Sequence, residues 1–242
     1  MKRFALLAGA LLSLSAPPVV RAVIFTTGPY SAAAGALESD FNQTATQGAQ
    51  AIAGSFSLSS PSVVTRVNWW GLYAFGNTPP AQDDFVVRFF ADAGGPASLP
   101  FSESLNLNPG RTDTGANTAG DEIYAYSALL PASVSLAANT TYWLSIVNYT
   151  PTDTDDEWFW QLATKTSGSL RVRYNDAYPW LLSGPGVLAF SFEGTVVPEP
   201  STGALLTGVG GLALLARRGR FPFPGSIRLP GRRPIGAHLC LA

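Results

Sequence analysis

The chain has 242 residues and a formal net charge of −1, which hides an uneven distribution: Val23 to Glu199 holds 16 acidic and six basic residues, a balance of −10. A segment that acidic repels a phosphate backbone, which excludes nucleic acid as a partner. The only Cys (Cys240) and the only His (His238) lie close to the C-terminus, so the acidic segment has no disulfide, no imidazole base for a Ser or Cys nucleophile, and no ordinary zinc ligand set.

Met1-Lys2-Arg3 forms a charged start, followed by the 11-residue apolar run Phe4 to Leu14 and by Val20-Arg21-Ala22, which offers small residues for cleavage before Val23. The reading is a secretory signal helix over residues 1–22, since the run is shorter than the roughly 20 apolar residues of a membrane span. Residues 23–196 then suit one domain with a sizeable core. Its first part, Val23 to Thr46, is rich in Ala, Gly, Ser and Thr and predicts little beyond one strand at Ala22 to Thr26.

From Ala49 the pattern becomes a series of short β runs. Alternation places Ile52, Phe56 and Leu58 on one face, and Ser59-Ser60-Pro61-Ser62 is a turn. In the next run, Val63 to Tyr73, period two groups Val63, Thr65, Val67 and Trp69 against Val64, Arg66, Asn68 and Trp70. Trp69 is therefore expected in the core and Trp70 nearer the surface. Phe85 to Phe90 is a strand with Phe85, Val87 and Phe89 inward. The later strands are Glu122 to Leu130, Thr141 to Asn148, Trp158 to Leu162, Leu170 to Tyr174 and Val187 to Val196. No stretch of the domain carries a helical apolar stripe. The fold class is all-β: an antiparallel β-sandwich, the jelly roll being one form of it, flanked by the N-terminal signal helix and a C-terminal membrane helix.

The C-terminal part has three pieces in order. Val197-Pro198-Glu199-Pro200-Ser201-Thr202 is rigid and helix-breaking. An uncharged apolar run reaches Ala216, and Arg217-Arg218-Gly219-Arg220 closes it with charges suited to the cytoplasmic side of a membrane. This arrangement over residues 197–220 resembles the PEP-CTERM sorting signal of exported bacterial proteins. The resemblance implies that Pro198, Glu199, Pro200, Arg217 and Arg218 form a sorting motif read by an exosortase, a membrane protease-transpeptidase that removes the tail. It also implies a membrane anchor, then a place at the cell surface or in the extracellular polysaccharide of the producing cell. Thr202 to Ala216 spans about 22 Å as a helix, less than the roughly 30 Å hydrocarbon core, which suits a transient anchor. Residues 221–242 depart from the family pattern: four Pro, three Gly and no apolar periodicity predict a disordered tail. A second likeness to PEP-CTERM proteins covers about Ala49 to Thr195. It rests on Val67-Asn68-Trp69-Trp70-Gly71, Asp83-Asp84-Phe85 and Thr141 to Leu144, and implies a sandwich without an assigned activity.

The candidate chemistry is limited. Asp153-Thr154-Asp155-Asp156-Glu157 concentrates four carboxylates in five residues, and Asp153, Asp155, Asp156 and Glu157 are the candidate ligands should the protein take a cofactor, Ca²⁺ being the one their oxygens suit. Exposed rings stack on sugar faces, and Trp70, Trp158 and Trp160 are the candidate glycan-binding residues among the domain's many aromatics. The favoured reading is a non-enzymatic structural or binding protein of the cell surface or extracellular matrix. The alternative is a carboxylate-dependent glycan hydrolase drawing on Glu103, Asp121, Glu122 or Glu157. Such an enzyme needs two carboxyl groups roughly 5–9.5 Å apart, and the adjacent Asp121 and Glu122 point to opposite faces of a strand.

Overall fold

A computed structural model describes residues 22–41, 49–74, 79–149, 157–165 and 167–198. The signal segment, Asp153, Asp155 and Asp156 of the acidic loop, and the sorting signal from Glu199 onward lie outside the described residues, as does the C-terminal tail. No helix among the described residues is long and apolar enough to cross a membrane.

Two antiparallel sheets pack face to face as a β-sandwich. The strands, in chain order, are β1 (Ala22–Thr26), β2 (Ala36–Glu38), β3 (Ala51–Ser57), β4 (Ser62–Tyr73), β5 (Phe85–Ala91), β6 (Ser102–Leu107) and β7 (Gly110–Thr118). They continue with β8 (Asp121–Leu136), β9 (Thr141–Asn148), β10 (Trp158–Gln161), β11 (Ser169–Arg173), β12 (Leu181–Pro185) and β13 (Phe190–Val196). The first sheet is built on β4. One edge of β4 pairs with β8, which carries β7. The other edge pairs with β13 and then β1 along its first part, and with β10 and then β2 at its end. The second sheet runs β12-β11-β3-β9-β5-β6.

One core fills the space between the sheets. Trp69 stacks on Tyr126, with ring centroids 5.5 Å apart and planes 8° from parallel. Phe85 from the opposite sheet stands edge-on to Trp69, Tyr126 and Trp158 at 5.0–5.3 Å. These offset and edge contacts suit the ring quadrupole. Two of the buried indoles have a partner for their N–H: Trp158 Nε1 donates to Tyr126 Oη at 3.3 Å, and Trp160 Nε1 to the Ala189 carbonyl at 3.0 Å. Gly71 makes the close packing possible, because a Cβ there would sit 2.3 Å from the Trp158 ring and 2.7 Å from the Phe159 carbonyl.

The grouping of side chains along β4 differs from strict alternation. Against β13 the pairing shifts between Val64 and Arg66 and leaves Thr65 as an extra residue, while against β8 the same step faces four residues, Leu130 to Ser133. The bulge changes the parity of everything before it. Val64, not Val63 or Thr65, therefore joins Val67 and Trp69 in the core. Gly194 answers the bulge, since any Cβ there would meet the Val63 carbonyl at 2.0 Å. After the bulge the expected alternation holds: Trp69 is fully buried and Trp70 is half-buried on the outer side, against Tyr30. Trp158 and Trp160 share a face, but that face is the core, and both are fully buried.

Trp69→Ala is expected to cost about 3–5 kcal/mol, the range for a large buried ring, and Trp70→Ala much less. Chemical denaturation of both variants checks this; equal losses would contradict the assignment of Trp70 to the outer face.

Candidate functional site

The outer face of the second sheet carries the charged groups. Residues that pair directly across antiparallel strands project to the same side. One such row reads Arg171, Ala53, Ser145, Arg88, Glu103 across five strands. Ala53 and Ser145 are small, which leaves room between the two arginines that flank them. The neighbouring row holds Phe90 and Trp143. Arg173 lies two residues along β11 from Arg171, on the same face.

A loop between β11 and β12 folds down onto this face and is pinned by Asp176. Arg88 Nη1 and Nη2 donate to its two carboxylate oxygens at 3.0 and 3.1 Å, while Arg88 Nε donates to Glu103 Oε1 at 2.6 Å. Arg173 Nη2 also donates to Asp176 Oδ1. The Arg173 guanidinium lies 4.4 Å from the Trp180 ring centroid and 5.6 Å from that of Phe90. Burial pushes the Arg173 pKa down, the Asp176 carboxylate pushes it up, and the nearby Arg88 charge adds to the lowering. The ring of Trp180 thus closes one side of a groove of about 620 Å³. Ala93 to Pro96 form the other wall, where Gly94 takes a left-handed φ of 80° and its carbonyl accepts from Arg171 Nη2 at 3.0 Å. Arg171 also stacks over Trp143 at 5.8 Å, and the Trp143 indole N–H donates to Asp92 Oδ1 at 2.9 Å. The groove is therefore a preformed concavity with aromatic walls, two guanidinium groups and one carboxylate, Asp176. That composition suits a ligand with flat apolar faces and polar edges.

Two other polar clusters lie elsewhere. At one end of the sandwich Tyr73 Oη donates to Asp83 Oδ1 at 2.5 Å, and Asn148 Nδ2 donates to Tyr73 Oη at 3.0 Å. Arg111 Nη1 donates to both Asp83 oxygens at 3.0 and 3.2 Å. Burial raises the Asp83 pKa, opposed by the Tyr73 hydrogen bond and by Arg111; burial also pushes the Tyr73 phenol up. This network fastens the segment before β5 and strand β7 to the end of the core, which gives the Asp83-Asp84-Phe85 stretch a structural part. The third cluster adjoins the acidic loop. Glu38 lies near Glu157 and Asp40, and its pKa is raised to about 7, by burial first and then by those two carboxylates. Asp40 Oδ2 accepts the Trp158 backbone N–H at 3.0 Å. Among the described residues no group of three His, Cys, Asp or Glu side chains is placed to hold a metal ion.

The expected glycan surface is not assembled from Trp70, Trp158 and Trp160. Trp158 and Trp160 offer no face to a ligand, because β10 lies between β4 and β2 and turns both rings inward. Trp70 stands on the opposite side of that sheet. Glu157 immediately precedes β10, and Pro198 is exposed just after β13, where the Val197 amide still bonds the Pro61 carbonyl at 2.8 Å. The sequence reading missed Arg88, Arg171, Arg173 and Asp176. The alternation Arg171-Val172-Arg173 within a strand was the available signal, but only strand pairing brings Arg88 to Asp176.

A family model described as a domain of unknown function (DUF7901) matches residues 35–193, about two thirds of the chain. No curated protein matches it.

Because the folded-state pKa of Glu38 lies above the ordinary glutamate value of 4.5, proton binding favours the folded form. Its contribution is present below the unfolded pKa and is lost as pH rises through about 7. In calcium-free buffer the Tm of the parent should fall relative to Glu38→Gln between about pH 5 and 8. Parallel Tm profiles would overturn this.

Proposed function

We propose a binding role for this chain, which belongs to the DUF7901 family: an exported protein of the cell surface or extracellular matrix, with its sandwich acting as the module that holds extracellular polysaccharide. The supporting observation is the groove on the outer face of the second sheet. Tyr178 and Trp180 supply aromatic surface there, Arg171 supplies hydrogen-bond donors, and the only carboxylate on its wall among the described residues is Asp176, tied to Arg88 and Arg173. A glycan hydrolase of the ordinary kind needs two carboxyl groups across the scissile bond. Two of the four carboxylates considered for that reading have partners of their own: Glu103 receives Arg88, and Glu122 receives the Tyr124 hydroxyl at 2.5 Å. Binding without turnover is the better-supported reading.

Export by a signal peptide over residues 1–22 and sorting by Pro198, Glu199, Pro200, Arg217 and Arg218 belong to the same proposal. The exosortase is the processing partner, and the apolar stretch before Arg217 serves as the membrane anchor until it is removed. Mass and location of the mature protein in cells with and without the exosortase test this part. The expected outcome is a surface or secreted form lacking Arg217 to Ala242 only when the exosortase is present; a mature protein that keeps those residues would refute it.

Calcium is the proposed ligand of Asp153, Asp155, Asp156 and Glu157, since Ca²⁺ takes six to eight oxygen ligands and a carboxylate-rich loop supplies several. A ligand that binds only the folded state raises its stability by mass action. Calcium should raise the Tm of the parent and not that of the Asp155→Asn/Asp156→Asn double variant; no shift in the parent would leave the loop without a metal role.

A further inference from the structure

We infer that the groove on the second sheet recognises a carboxylate-bearing sugar, a uronate unit of an acidic glycan, with Arg171 as its anchor. This rests on the binding role proposed above and specifies the chemistry of the ligand.

The basic residues of the acidic segment are unevenly spread. The acidic segment from Val23 to Glu199 has six basic residues, and three of them, Arg88, Arg171 and Arg173, meet on one face of one sheet. Glu103 and Asp176 answer two of these charges, which leaves one guanidinium over in a segment whose net charge is −10.

The three cations are committed unequally. Arg88 is consumed by Glu103 and Asp176, and Arg173 is paired with Asp176. Arg171 makes no ion pair among the described residues. It is only half-buried, yet it is held in place by its bond to the Gly94 carbonyl and by stacking on Trp143. A guanidinium fixed in this way offers its remaining N–H donors with little further loss of side-chain entropy, and its planar fork matches a carboxylate. Gly95 is part of the arrangement, because a Cβ there would lie 3.1 Å from Arg171 Nε.

Aromatic rings also line the groove. Tyr178 is 55% exposed and stands beside Trp180 on the groove. A ring beside a fixed guanidinium can take the flat face of a pyranose while the cation takes its carboxylate. The Trp180 indole N–H and Arg173 Nε are buried without a hydrogen-bond partner among the described residues. The volume of about 620 Å³ falls within the usual range for a small-ligand cleft.

Titration calorimetry on the full-length chain in mild non-ionic detergent tests the inference with three probes: trigalacturonate, the neutral maltotriose, and succinate as a carboxylate without a sugar ring. Trigalacturonate should bind, and more weakly as NaCl is raised; maltotriose should bind at least about tenfold more weakly, and succinate likewise, since each lacks half of the recognition. Arg171→Gln should lower trigalacturonate affinity about tenfold and flatten its salt dependence, with an unchanged Tm as the control for folding. Tyr178→Ala should weaken trigalacturonate while leaving the salt dependence in place. Equal binding of maltotriose and trigalacturonate, lost in Tyr178→Ala, would overturn the acidic specificity and leave the binding role standing. Succinate binding as well as trigalacturonate would overturn the sugar. Binding of none of the three would overturn both the inference and the assignment of the groove as the binding surface.

Discussion

The sandwich depends on the way Trp158 lies across Gly71. The acidic segment has neither Cys nor His, so no disulfide or ordinary zinc site fastens the sheets, and burial of apolar surface has to hold them together. Rings from four strands of both sheets meet at this point: Trp69 on β4, Tyr126 on β8, Trp158 on β10 and Phe85 on β5. Rings of this size can reach one another across the interface only if the backbone of β4 comes close to the indole of Trp158. Gly71 permits that approach, and the Asp40 carboxylate, accepting the Trp158 amide, fixes where β10 begins. Position 71 thus links a sequence feature, Trp-Trp-Gly, to the packing of both sheets.

A sheet anchored so firmly on its inner face can carry charge on its outer one. Arg88 sits within a strand whose first six residues are all buried, which would be costly for an unpaired cation. The cost is offset because its guanidinium meets two carboxylates in close geometry. Removing one partner of such a pair is far more damaging than the pair is stabilising. The pair therefore acts chiefly as a positional device: Asp176 is brought to a defined point, and with it the loop that carries Tyr178 and Trp180. The groove exists because this loop is tied to the middle of a rigid sheet instead of trailing from its edge.

Much of this is legible in the amino-acid sequence. The limits of β1 and β9, the inward faces of β3 and β5, and the opposed burial of Trp69 and Trp70 all follow from period-two alternation, since each is a local property. β2, β6, β7 and β12 were not visible. Three of them lie at sheet margins, and β7, with Thr112, Asp113 and Asn117 on an open edge, has no apolar face to announce itself. Thr65 defeated the grouping along β4, because a bulge is specified by its partners Gly194 and Leu129 to Val134 more than by the residue itself. Trp158 and Trp160 illustrate a different limit: alternation states that they share a face, but only the placement of β10 between β4 and β2 states which one. The groove was the least legible part, because Arg88 and Asp176 are 88 positions apart.

The six tryptophans are placed as internal reporters, with Trp180 on the groove, Trp143 beneath Arg171, Trp70 on the far sheet and Trp69, Trp158 and Trp160 in the core. Indole N–H resonances recorded during addition of trigalacturonate test most directly whether the ligand site lies on the outer face of the second sheet. The account predicts movement of the Trp180 and Trp143 signals and constancy of the other four. Movement of Trp70 with Trp180 unchanged would contradict it.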